Sequence, residues 1–155
     1  MTFEQLAALC QEAAADLVAR QARPLPATVV LPLAEATRVT SLPELPEADP
    51  DRFDLLARFA ADVVRPAEAP CYGFLAEASL DAGGEPVDVL VCVYGARKRG
   101  AMVTAAPLHD TGLGEWGEPE PLDPTAMPFL APLQHAVDAA APPAPPSSSL
   151  PIFNG

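Results

Sequence analysis

The sequence predicts an α+β domain: a mainly antiparallel sheet of four to five strands with helices packed on it, in the order α-ββ-α-βββ-α. Three observations carry this prediction. The apolar runs Cys71 to Leu80, Val87 to Ala96 and Ala101 to Leu108 are separated by Asp81-Ala82-Gly83-Gly84-Glu85-Pro86 and by Arg97-Lys98-Arg99-Gly100, which is the spelling of a β-meander. Two stretches nearer the start repeat apolar residues at spacings of three and four. Twenty prolines among 155 residues then break the chain between these elements. A chain of this length has one core, so residues 1–141 form a single domain. Residues 142–155, rich in Pro and Ser, have the composition of a disordered tail leaning to polyproline II.

The first helix begins at Thr2, which forms a capping box with Gln5, each side chain satisfying a backbone N–H that helix geometry leaves without a partner. Its apolar stripe is Phe3, Leu6, Cys10, Ala13, Ala14, Leu17 and Val18, and it stops before Pro24. Ala27 to Leu31 is a short β-branched run between Pro26 and Pro32, expected near a sheet edge, and Thr37 to Leu42 is a weaker second strand. Asp49 and Pro50 are a helix cap and a first-turn proline. The helix they start is expected to bury Phe53, Leu56, Phe59, Ala60, Val63 and Val64, to pack on the Val89 to Tyr94 strand and to end at Pro66.

In the meander, Tyr72, Phe74, Ala76, Ala78 and Leu80 share one face, which predicts a half-buried first strand. Val89 to Tyr94 is apolar on both faces, which predicts a central strand covered above and below. The Gly112 to Pro121 stretch shows neither period and is expected to be a long acidic surface loop. Ala131 to Ala140 is a closing helix, with Pro132 tolerated in its first turn.

The net charge of −12, from 21 acids and 9 bases, disfavours nucleic acid and anionic membrane as partners, because both recognise clustered cations. The start of the sequence lacks the pattern of an export signal and no run is long and apolar enough to span a membrane, so a cytoplasmic location is expected. Cys10, Cys71 and Cys92 are odd in number and far apart, the pattern of reduced thiols and not of a disulfide framework.

Candidate sites are few. Arg97, Lys98 and Arg99 are three of the nine basic residues and sit on one hairpin tip, either as an anion-binding turn or as a solvated turn that discourages edge pairing. The acids Glu115, Glu118, Glu120 and Asp123 have the charge to fold over that tip. Trp116, the only tryptophan, is either an exposed contact anchor or a cap on the core. Gly112, Gly114 and Gly117 match the letters of a dinucleotide fingerprint, but Pro119 and Pro121 prevent the helix that such a site requires.

Cys71, His109 and Asp110 are the one combination that resembles a thiol nucleophile, base and orienter, with an expected separation of about 10 Å across the meander. The two histidines and the dispersed cysteines offer no usual ligand spacing, so no metal and no cofactor is expected. The side-chain inventory therefore points to a non-catalytic protein-interaction or regulatory domain whose partner is another protein. The alternatives are a small enzyme using Cys71 and His109, and a receptor for a small anion or phosphorylated ligand at the Arg97-Lys98-Arg99 turn. Oligomeric state is not written in the sequence.

Overall fold

Three layers build the molecule: one helix, a seven-stranded antiparallel sheet, and a second set of helices. The structure is a computed structural model that describes residues 1–42, 44–81 and 83–140. The tail predicted at 142–155 lies outside the described residues. Element order is α1 (Phe3–Arg20), β1 (Thr28–Pro32), β2 (Thr37–Ser41), α2 (Asp49–Phe59), a π-helical turn (Ala60–Val64), α3 (Arg65–Ala67), β3 (Cys71–Asp81), β4 (Pro86–Ala96), β5 (Gly100–His109), β6 (Gly112–Leu113), β7 (Glu120–Pro121), a 3₁₀ turn (Pro128–Leu130) and α4 (Ala131–Asp138). The strands lie in the order β2-β1-β3-β4-β5-β6, with β7 also on β5.

The α+β class and the mainly antiparallel sheet are as predicted, but the sheet is larger than four to five strands and the order departs from α-ββ-α-βββ-α, with two short strands between the meander and the last helix. The two additional strands, β6 and β7, come from the stretch expected to be a free loop. From Gly112 onward the chain runs back along β5: Leu113 pairs with Leu108, Gly114 N–H donates to Pro107 O (2.8 Å), Gly117 N–H to Ala105 O (2.9 Å), and Glu120 pairs with Val103. Sequence period missed it because the pairing is made in pieces of two residues. Glycine matters here for clearance: a Cβ on Gly114 would lie 3.0 Å from His109 Nε2 and 3.2 Å from the Pro107 ring.

Helix α1 starts as predicted, with Gln5 N–H donating to Thr2 Oγ1 (3.1 Å) and Thr2 N–H to Gln5 Oε1 (2.9 Å). It buries Leu6, Cys10, Ala14 and Leu17 against Val30, Leu75, Leu90, Cys92 and Leu108 on one sheet face. On the other face Leu56, Ala60, Val64, Leu133 and Val137 meet Val29, Leu31, Phe74 and Val93. β4 is thus covered on both sides, as its sequence requires: Leu90, Cys92 and Val93 have no exposed surface. Each such side chain contributes about 1.5–3 kcal/mol relative to exposure.

Several expectations change. The helix packed directly on β4 opposite α1 is α4, whereas α2 lies mainly against α4 and the 3₁₀ turn. Phe53 is turned outward, 42% exposed, and the preceding Arg52 takes the inner position with its guanidinium 5.3 Å from the Phe129 ring centre. Helical structure passes Pro66 to Ala67, because the π-helical turn widens the helix just where the proline ring would meet an earlier carbonyl. Ala48, not Asp49, is the cap of α2. β3 is buried on both faces from Cys71 to Leu75 and exposed only from Ser79, so its burial divides along its length and not between its faces. β1 is fully buried, one strand in from the edge.

The cover by α1 depends on Gly73. A Cβ at that position would sit 2.3 Å from Cys10 Sγ, so helix and sheet approach at glycine distance. Among the described residues no helix is long and apolar enough to cross a membrane. Gly73→Ala is therefore expected to lower stability by about 1–3 kcal/mol through overpacking. Adding Cys10→Ala should recover part of that loss, which a double-mutant cycle by urea denaturation measures.

Candidate functional site

The Arg97-Lys98-Arg99 turn is tied to both helical layers. Arg99 N–H donates to Ala96 O (3.0 Å), closing the turn, and Lys98 sits in the left-handed region at φ 58°. Its N–H donates to Asp138 Oδ1 (2.6 Å) at the end of α4. Arg97 Nε–H donates to Ala140 O (2.7 Å) and its backbone N–H to Pro70 O (2.8 Å). Arg99 lies 4.6 Å from the ring centre of Phe3, which also packs edge-on against Tyr94 at 5.8 Å. The turn thus joins the first turn of α1, the meander and the end of α4, with the cation–ring contact contributing about 0.5–1 kcal/mol. Among the described residues its cations form no ion pair with Glu115, Glu118, Glu120 or Asp123, although the acidic segment does fold back beside it through Leu122 N–H and Ala101 O (2.9 Å).

Trp116 lies on that returning segment, half-buried at the rim of the α1-side core with Leu113 and Met102. Its position is that of a partial cap.

The sheet register keeps Cys71 away from His109 and Asp110. Cys71 pairs with Ala96, which pairs with Gly100, so it is level with the start of β5, while His109 is at the other end of that strand. The separation along the strand is about 30 Å, far beyond the 10 Å expected from the meander alone. β3 and β5 run the same way, so the start of one cannot meet the end of the other. Cys71 is 5% exposed, and burial, with a smaller contribution from Cys10, pushes its thiol up to about 11. A thiol so placed is protonated at neutral pH. Cys10, Cys71 and Cys92 are all buried and form no disulfide; contact with Cys10 and burial hold the Cys92 thiol well above the usual range.

His109 and Asp110 instead line an open groove of about 580 Å³ with Ala15, Val18, Gln21 and Arg23, between the end of α1 and the β5–β6 turn. The Arg23 guanidinium beside it is engaged by Glu77 Oε2 (2.8 Å) and Asp88 Oδ2 (2.7 Å), stapling β3 to β4. The Arg23 hydrogen bond and the Leu25 N–H hold the Glu77 carboxyl below the usual carboxylate range against the opposing effect of burial. No group of three or more potential metal ligands exists among the described residues.

A further surface was not singled out by sequence reasoning. Leu33 N–H donates to Ala36 O (3.1 Å) and Leu42 N–H to Ala27 O (2.7 Å), which sets the phase of the β1–β2 ladder. Arg38 and Thr40 therefore bond inward to β1, and the N–H and C=O groups of Thr37, Val39 and Ser41 point away from it. Pro32 fits the same phase, opposite Thr37 at a position that needs no N–H toward β2. Among the described residues β2 pairs with β1 alone, and Val39 is 53% exposed. The signal in the sequence was the short β-branched run Thr37-Arg38-Val39-Thr40-Ser41 itself, the outer partner of a hairpin. Searches of protein-family models, curated proteins and solved structures find no match to this chain.

Two outcomes test this geometry. Lys98→Gly should raise stability by about 0.5–1 kcal/mol, since glycine adopts the left-handed conformation without a Cβ conflict and the bond to Asp138 uses only the backbone. Glu77→Gln should lower stability at pH 7 by about 1 kcal/mol, discounted for its partly solvated partners. The folded-state value of Glu77 is lowered, so its contribution is present above the unfolded value of about 4.3 and is lost as pH falls through the folded one. The variant's deficit should therefore shrink below about pH 4 in thermal melts.

Proposed function

We propose that this chain is a non-catalytic protein-interaction domain that receives an extended strand of its partner on the β2 edge. The reading rests on the contrast between two edges of one sheet. Gly112 to Leu122 covers β5, whereas Thr37, Val39 and Ser41 direct backbone donors and acceptors outward beside an exposed valine. An added strand binds through main-chain hydrogen bonds and is selected by alternate side chains, which suits a protein partner and no other class of macromolecule. The acidic balance of the chain supports the same choice.

The two other readings have less geometric support. Arg97 Nε–H and the backbone N–H groups of Arg97 and Lys98 already bind Ala140, Pro70 and Asp138, the Arg99 guanidinium lies on the Phe3 ring, and the Asp138 carboxylate beside Lys98 repels an anion. Cys71 is a buried thiol far from the imidazole of His109.

Val39→Lys places a charge where a partner strand must pair. Affinity capture from the source cell should lose its partners with Val39→Lys and keep them with the double change Lys98→Gly and Arg99→Gln. Loss with the turn variant alone transfers the function to the turn, and retention with both removes the reading.

A further inference from the structure

The outward groups of β2 form a self-complementary pattern. In an antiparallel pairing of two β2 strands, the one register that matches all three outward residues places Val39 opposite its own copy and Thr37 opposite Ser41. Each of those three pairs exchanges two N–H···O=C bonds. None of the residues is proline, so all six donors and acceptors are present. Thr37, Val39 and Ser41 share one face, so the exposed Val39 side chains meet across the axis, and Arg38 stands opposite Thr40 instead of opposite another cation. Shifting the register by two residues leaves at least one outward residue without a counterpart.

We propose that the strand received by β2 is that of a second copy of this chain, giving a two-fold dimer with its axis at Val39 and one continuous sheet through both protomers. This rests on the reading of β2 as the interaction edge and names its partner. A five-residue strand pair buries less than about 1,000 Å², so the dimer is weak and concentration-dependent. Each protomer carries −12, and the contact contains no ion pair. Added salt therefore screens the repulsion between protomers and tightens the dimer, opposite to an interface held by charges.

Sedimentation equilibrium of the full chain across the micromolar range, at low and moderate salt, reads this directly. A monomer–dimer equilibrium is expected, stronger in salt and weakened at least about tenfold by Val39→Lys, with the circular dichroism spectrum unchanged. A second measurement uses oxidised glutathione. Val39→Cys should form a covalent dimer, because hydrogen-bonded partners stand about 5.5 Å apart at Cα, whereas Thr40→Cys should not, its copies being about 7–8 Å apart. A monomer at every concentration with no preference for the Val39→Cys cross-link overturns the proposal, as does a dimer that persists in Val39→Lys. Slow amide exchange at Val39 in a monomer, lost on removing residues 142–155, overturns it in favour of the chain's own tail. If the chain is monomeric but Val39→Lys still loses captured partners, the second copy is wrong and the interaction edge stands.

Discussion

Everything in this fold is organised by burial on both faces of the β3–β4 ladder. Strands from the middle of the sheet bring apolar side chains to two sides at once, so neither side can face water. One helix cannot cover both. The chain answers with α1 on one side and α2 with α4 on the other, which is why its ends must converge on the same three strands. Close approach sets the thickness of one layer: Gly73 removes the side chain that would hold α1 off. On the opposite side Gly95 does the same for α4, since a Cβ there would lie 2.5 Å from Gln134 Oε1 and from the Tyr72 ring.

The hairpin tip between β4 and β5 acts as a rivet for these layers. A left-handed lysine would ordinarily be replaced by glycine or asparagine, but here its amide is fixed by a carboxylate from α4 and its neighbours reach Phe3 and the end of α4. Cationic residues that look like a ligand site in the sequence are thus largely occupied by the chain itself. The cysteines follow the same pattern, packed as small apolar groups beneath α1.

How much was legible in the sequence depended on whether an element has a period. The capping box at Thr2 encodes a helix start through local hydrogen bonds, the stripe of α1 and the apolar run Val89 to Tyr94 encode burial directly, and each is found where expected. Phe53 departs from the apolar stripe because a π-helical turn and the inward Arg52 change which residues face the core, and no local pattern records either. The strip from Gly112 to Leu122 has the sequence of a loop because it is held by backbone contacts at intervals along β5 and not by alternating side chains. The distance between Cys71 and His109 is not legible for a different reason: adjacency of strands alone implies closeness, whereas the parallel direction of β3 and β5 puts these residues at opposite ends of the sheet. That β2 pairs on one side only among the described residues is not legible in its own sequence, because a strand's outer side is a property of its neighbours.

The Arg23 staple marks a boundary within the longest ladder of the sheet. Inside it, at Leu75 and Cys92, the strands are sealed between helices; beyond it, Leu80 and Val87 face each other 49% and 43% exposed, with no helix of the described residues packed over them. One continuous hairpin therefore has two thermodynamic characters. Its outer end gains little from the core, so the local free energy of opening this tip rests on the ladder bonds and on Arg23 with its two carboxylates more than on the apolar burial that holds the inner end.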